Sequence, residues 1–131
     1  MTPSILVIED DNDLRSEICE YLQRRGNRVF GCATLAEGRQ ALSERRPDIV
    51  MADIHLPDGD GDQFCLFHAP QTPTTSWLLL SGDSERVRQS RQLLRAPDAP
   101  PFSVLDKPFE LQVLVEFVRL AMIGKEAASR L

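Results

Sequence analysis

The sequence predicts an α/β fold in which a parallel sheet carries helices on both faces, and two observations lead to it. Short aliphatic and β-branched runs alternate five times with amphipathic stretches, the pattern of repeated strand–helix units. Chemistry-bearing residues stand at the ends of those runs: Glu9, Asp10 and Asp11 after Ile5 to Ile8, Asp53 after Ile49 to Ala52, Ser81 after Trp77 to Leu80, and Lys107 after Val104-Leu105. Ligands of an open α/β sheet bind in the crevice outside the carboxyl ends of its strands, so these groups are expected to converge.

Taken in order, the first strand is Ile5 to Ile8. The helix after it has Leu14, Ile18, Tyr21 and Leu22 at helical spacing, Asp11 or Asn12 to cap it and Gly26 to end it. Arg28 to Cys32 reads as the second strand. Thr34 caps the next helix with Glu37 as its capping-box partner; Leu35, Ala41 and Leu42 form the apolar face, and Pro47 stops it. The third strand is Ile49 to Ala52. A dense turn from Leu56 to Gly61 leads into a short third helix around Gln63 to Phe67, cut off by Pro70 and Pro73. Trp77 to Leu80 is the fourth strand, followed by Ser81-Gly82-Asp83 and a helix to about Arg95. Ala96 to Pro101 is a rigid turn and Phe102 to Leu105 the fifth strand. A last helix from Phe109 to about Gly124 presents Leu111, Leu114, Val115 and Val118 on one face. Residues 1–124 are thus expected to form one domain, with 125–131 as a C-terminal tail or the start of a linker to an output domain.

A chain of 131 residues buries roughly two-thirds of its unfolded surface without disulfides or structural metal. No apolar run approaches the ~20 residues that cross a bilayer, so no membrane partner is expected. Met1-Thr2-Pro3-Ser4 offers neither a basic segment nor a small-residue cleavage site, and the cytoplasm is the expected location. Cys19, Cys32 and Cys65 form no close-spaced ligand pair and His55 and His68 complete none, which points to reduced thiols and not zinc. A net charge of -5 argues against direct nucleic-acid contact. The fourth helix is nonetheless locally basic, with Arg86, Arg88, Arg91 and Arg95, and reads as a solvated face or a partner-binding surface.

Asp53, at the end of the central run, is placed to act as a nucleophile toward phosphorus and to form an acyl phosphate. A phosphoryl donor and a carboxylate repel by about 4 kcal/mol at close range and an effective dielectric of 20, and a divalent cation removes that barrier. Mg²⁺ (or Mn²⁺) takes hard oxygen ligands, which Asp10 and Asp53 can supply directly and Glu9 through water. Lys107 would set an ammonium against one phosphoryl oxygen, and the Ser81 hydroxyl would donate to another. Singly each residue has an ordinary reading, as a cap, a turn residue or surface charge; their register at four strand ends carries the functional one.

The runs Ile5 to Asp11, Asp53 to Gly61, Leu80-Ser81-Gly82 and Asp106-Lys107-Pro108-Phe109 together closely resemble the receiver domain of bacterial two-component response regulators, over essentially the whole chain. The resemblance implies a flavodoxin-like, doubly wound five-stranded sheet of order 2-1-3-4-5. It implies that Asp53 is the phosphoacceptor, that Glu9 and Asp10 form the acidic metal pocket, that the backbone carbonyl of His55 is a further metal ligand, and that Ser81 and Lys107 bind the phosphoryl group. A sensor histidine kinase or a small phosphodonor would supply that group, and the domain would catalyse only its own phosphotransfer and slow dephosphorylation, at a rate tuned by His55 and Asp83. The modification would switch a face made of helix four, strand five and helix five, through which a homodimer can form. One position departs from the pattern. Where an aromatic residue is usual, three residues before the lysine, stands Val104, and Phe102 shares its side of the strand by the period of two.

Two other readings compete. A receiver used without phosphorylation, as a dimerisation or protein-binding module, is motivated by Val104. A metal-dependent phosphatase with an aspartyl nucleophile is opposed by His55, which stands where such enzymes place a second Asp.

Overall fold

Alternating strands and helices build one five-stranded sheet in the computed structural model, which describes residues 2–93, 95–97 and 101–129. The sheet strands are β1 (Ser4–Ile8), β2 (Arg28–Cys32), β3 (Ile49–Asp53), β4 (Ser76–Ser81) and β5 (Ser103–Asp106). The helices are α1 (Asn12–Gln23), α2 (Leu35–Arg45), α3 (Gly61–His68), α4 (Ser84–Leu93) and α5 (Leu111–Ser129). Neighbouring strands all pair parallel, in the order β2-β1-β3-β4-β5. This is the flavodoxin-like arrangement, and its switch point falls between β1 and β3.

Alternation along each strand divides the core between the two sheet faces. Ile5 and Val7, Ile49 and Met51, and Leu78 and Leu80 pack with Ile18 and Leu22 of α1 and Leu114 and Val118 of α5. Leu6 and Ile8, Val50 and Ala52, and Trp77 and Leu79 pack with Leu35, Ala41 and Leu42 of α2 and Phe64 and Cys65 of α3. All five residues of β3 are buried, which explains why it reads as an unbroken apolar run and not as an alternating one.

The helix ends follow local chemistry. Asp11 Oδ1 accepts from the backbone N–H groups of Asp13 and Leu14 at 3.0 and 3.1 Å, so Asp11 is the cap of α1 and not a member of the convergent site. Gly26, at φ +88°, turns the chain into β2. Thr34 Oγ1 accepts from Glu37 N at 3.2 Å, the capping bond expected, and its hydroxyl returns a bond to the Glu37 carboxylate. A second cap was not anticipated: Asp58 reaches back across the turn and accepts from Leu35 N and Ala36 N at 2.8 and 2.9 Å. The helix start lowers the pKa of Asp58 through those bonds.

Element boundaries shift from the sequence expectations in several places. Ser76 and Ser81 extend β4 because their backbones join ladders to β3 and β5. β5 starts one residue later than expected, at Ser103. α3 begins at Gly61 and ends at His68, and Pro70 lies in a short 3-10 turn, Ala69–Gln71. The turn before α3 contains a two-residue antiparallel ladder, His55–Leu56 with Gly59–Asp60. α5 runs through Gly124 to Ser129, and the Lys125 ammonium donates to the Asp48 carbonyl at 2.7 Å. Of the expected turn from Ala96 to Pro101, residues 98–100 lie outside the described residues, as do position 94 near the expected end of the fourth helix and residues 130 and 131 of the tail. No described helix is long and apolar enough to cross a membrane. Cys19, Cys32 and Cys65 are free thiols, and burial pushes Cys32 up to about 11 and Cys65 up to about 12, so neither is poised to react.

Candidate functional site

The carboxyl ends of β1, β3, β4 and β5 lie side by side, because the parallel registers set Ile8 beside Ala52, Asp53 beside Leu80 and Ser81 beside Asp106. The residues that end these strands therefore meet. Glu9, Asp10 and Asp53 each offer one carboxylate oxygen, and these oxygens all lie within 4.8 Å of one another. Glu9 is fully buried, Asp53 is nearly so, and Asp10 is exposed at the mouth.

The backbone around these acids is pinned. Glu9 N donates to Cys32 O at 3.0 Å, and Arg15 Nη1 donates to Glu9 O at 2.8 Å. Asp53 Oδ1 accepts from His55 N at 3.1 Å. Gly61 allows the first turn of α3 to lie directly on the end of β3: a Cβ there would stand 2.1 Å from the Asp53 carbonyl oxygen.

Lys107 closes the group. Its ammonium donates to Glu9 Oε1 and, at 3.0 Å, to Asp53 Oδ2, and its backbone N–H donates to Ser81 O at 2.8 Å. The Lys107-Pro108 peptide is cis. Burial alone would lower the lysine pKa, but its bonds to Glu9 and Asp53 outweigh this and raise it. Three carboxylates thus face one ammonium, an imbalance that a divalent cation would correct. The donor set is all hard oxygen, which fits Mg²⁺ or Mn²⁺ and excludes the softer ligands that zinc prefers.

Burial is the main reason that the Glu9 carboxyl is pushed up to about 7; the bond from Lys107 opposes the rise and the neighbouring Asp53 adds to it. The folded protein binds this proton more tightly than the unfolded chain does. The resulting stability is present below pH 4.5 and is lost as the pH rises through about 7. In metal-free protein the unfolding free energy is expected to fall across that window by up to about 1.4 kcal/mol per pH unit. Urea unfolding of wild type and Glu9→Gln at about pH 5, 6 and 7 checks this, since the slope should flatten in the variant. An identical slope in both would assign the titration to another group.

Ser81 is buried at the site, with its hydroxyl engaged by its own loop. Its Oγ accepts from Asp83 N at 3.0 Å, within the loop that starts α4. Asp83 Oδ1 in turn caps α4, accepting from Glu85 N and Arg86 N at 3.1 and 3.2 Å. These bonds are the main cause of the lowered pKa of Asp83. His55 Nε2 lies 3.4 Å from Asp83 Oδ2, so the residues two beyond Asp53 and Ser81 meet across the mouth. Phe102 is buried and Val104 partly so, both against the α2–α3 face of the sheet, the shared side expected from their spacing.

One group was missed. Arg86 is not part of a solvated basic face: its Nη2 straddles both oxygens of the buried Asp62 at 2.8 and 2.7 Å, and Ser90 Oγ donates to the same carboxylate at 3.1 Å. Arg88 and Arg91 fit the solvated reading, pairing at the surface with Glu85 and Asp106. The signal lay in the helical period, which sets Arg86 and Ser90 on the same inward side of α4 and Arg88 and Arg91 outside.

Fold and site together define a doubly wound α/β domain with an acidic, lysine-bridged pocket at its switch point. The chain belongs to the response regulator receiver domain family, which it matches over residues 5–119. It is 32% identical over 119 residues to the KDP operon transcriptional regulatory protein KdpE of Escherichia coli (strain K12), covering 91% of this chain and 51% of KdpE. It is 31% identical over 121 residues to the transcriptional activator protein PfeR of Pseudomonas aeruginosa, covering 91% of this chain and 40% of PfeR. The chain thus spans about half the length, or less, of these curated relatives. The BeF3-activated receiver domain of DrrB superimposes with a TM-score of 0.77 at 26% identity, covering 93% of this chain and 98% of that one.

Proposed function

We propose that this receiver domain is a phosphorylation switch: a sensor histidine kinase or a small phosphodonor transfers a phosphoryl group to Asp53 in a Mg²⁺- or Mn²⁺-dependent reaction. The observation that carries the reading is the ion pair of Lys107 with Asp53 and Glu9, since it sets a cation on the face of the nucleophile where phosphoryl oxygens would lie. Glu9, Asp10, Asp53 and the carbonyl of His55 would hold the cation, which supplies charge neutralisation between carboxylate and phosphate.

In the transfer, an Asp53 oxygen attacks phosphorus, the bond to the donor breaks, and an acyl phosphate remains. Lys107 then exchanges its Asp53 contact for a phosphoryl oxygen, and Ser81 leaves Asp83 to donate to another. Water later attacks the acyl phosphate, and the opposed His55 and Asp83 side chains govern its approach. The domain turns over no external substrate in this scheme, and a cytoplasmic location follows from the kinase partner.

The proposed output face is α4, β5 and α5, through which a homodimer can form. Exposed Val113, Leu120 and Ile123 on α5 support an interface there. Residues 1–124 act as the receiver, and the turns of α5 beyond Gly124 begin the connection to an output segment. Val104 is the feature that favours a phosphate-independent module, but such a module has no need of three close carboxylates, two of them bridged by a lysine.

Intact-mass measurement after incubation with acetyl phosphate tests the reading. With Mg²⁺, one hydroxylamine-labile adduct of about 80 Da is expected, and none with chelator. No adduct from acetyl phosphate or from a phosphorylated histidine kinase would overturn it.

A further inference from the structure

The buried carboxylate of Asp62 has no part in the acidic pocket, yet it lies in a ring of contacts that returns to it. Asp62 follows Gly61, which is pressed against the end of β3 and whose N–H donates to Ile54 O at 2.7 Å. From Asp62 the ring crosses to Arg86 and Ser90 on α4, passes through the Arg86 N–H to the Asp83 cap, and ends at the Ser81 hydroxyl, beside Lys107. Asp60 lies 3.8 Å from the same guanidinium.

We infer that Asp62, Arg86 and Ser90 are positioning residues that latch α4 to α3 and thereby hold the Ser81 hydroxyl on the Asp83 N–H. The inference rests on the phosphoacceptor reading of Asp53 and goes beyond it by naming what resists the switch. Two observations carry it. Asp62 and Ser90 are buried and Arg86 is only partly exposed, so the contacts are shielded from water, and they join two different helices. The latch is also imperfect: Arg86 Nε is buried without a hydrogen-bond partner among the described residues, so α4 is held with one strong donor unsatisfied. The Asp83–Arg86–Asp62 ring thus links the loop that holds the Ser81 hydroxyl to α3.

For Ser81 to donate to a phosphoryl oxygen it must release Asp83 N. The α4 start can then move, at the cost of the Asp62 contacts. A ligand binds a two-state protein more tightly when the competent state is already populated, in proportion to that population. Loosening the latch should thus raise affinity for a phosphoryl group, not lower it.

The test uses Ser90→Ala, which removes one bond, and the double variant Asp62→Leu/Arg86→Met, which removes both charges and leaves neither unpaired. Amide exchange of metal-free, unphosphorylated protein is expected to rise about tenfold or more over Ser84 to Leu93 while α1 and α5 stay unchanged. Affinity for beryllofluoride with Mg²⁺, a stand-in for the phosphoryl group, is expected to tighten by about 3- to 10-fold. Exchange that rises evenly in every helix, or beryllofluoride affinity that is unchanged or weaker in both variants, would show a merely structural pair and overturn the latch. A wild type that binds no beryllofluoride would instead remove the phosphoacceptor reading, and the latch with it.

Discussion

The Asp53→Asn protein is expected to acquire no phosphoryl group from acetyl phosphate or from a kinase, while folding as the wild type does. An amide oxygen is too weak a nucleophile to displace a phosphoryl leaving group, and Glu9, the other buried acid that Lys107 binds, has no exposed surface from which to meet a donor. The electrostatic balance of the fold survives the change. Asp53 attracts Lys107 at 3.0 Å but repels Glu9 and Asp10, whose oxygens lie within 4.8 Å. The attraction is about 5 kcal/mol at an effective dielectric of 20, and the repulsions that oppose it are individually weaker, because the Glu9 carboxyl, pushed up to about 7, is only partly charged near neutral pH and Asp10 is exposed to solvent. The unfolding free energy should therefore stay within about 1–2 kcal/mol of wild type or rise. Removing the Asp53 charge also withdraws one cause of the raised Glu9 pKa, so the pH dependence of stability should become shallower. Label that persists in Asp53→Asn, mapped to a peptide containing Asp10, would move the phosphoacceptor to β1.

Gly61→Ala is expected to be the most destabilising small substitution near the site, at roughly 3–4 kcal/mol. Its Cβ would stand 2.1 Å from the Asp53 carbonyl oxygen, 3.0 Å from the carbonyl carbon and 3.2 Å from the Ile54 Cα. All three are backbone atoms, so no rotamer change relieves the clash; either α3 must lift from the end of β3 or the end of β3 must bend. Both disturb the carboxylate that receives phosphate, and labelling should fail along with stability. Gly124→Ala serves as the opposing control. It sits inside α5 with nothing within 4 Å of the added methyl, and should stabilise the helix by about 0.5–1 kcal/mol. Equilibrium urea unfolding separates the two; equal midpoints would show that the contact at Gly61 is not rigid.

Residues whose position follows from their own strand were legible in the sequence. β3 was visible because a central parallel strand is buried on both faces, and the meeting of Glu9, Asp53, Ser81 and Lys107 was visible because each stands at the carboxyl end of a strand. The ends of the elements were less so. Ser76 and Ser81 carry no apolar signal, but their backbones complete ladders set by neighbouring strands. Gly124 looked like a stop, yet the helix continues, and Lys125 bonds to Asp48 in the loop just before β3. Asp58 and Asp62 were the hardest to assign. Both lie in or just after an acid-rich turn, and the partners that fix them, Leu35 and Ala36 for Asp58 and Arg86 for Asp62, are 22 or more residues away, so local chemistry offered only a generic turn.

The path of α5 has a consequence for anything joined to it. The helix starts four residues after Lys107 and is about 28 Å long at 1.5 Å per residue, and Lys125 is fastened to Asp48, the residue before β3 begins. It is a strut from the chemical pole of the domain to the opposite one. A probe or protein attached past Ser129 is carried about one domain diameter from Asp53, where it registers the tilt or roll of that strut and is never in reach of the phosphate itself.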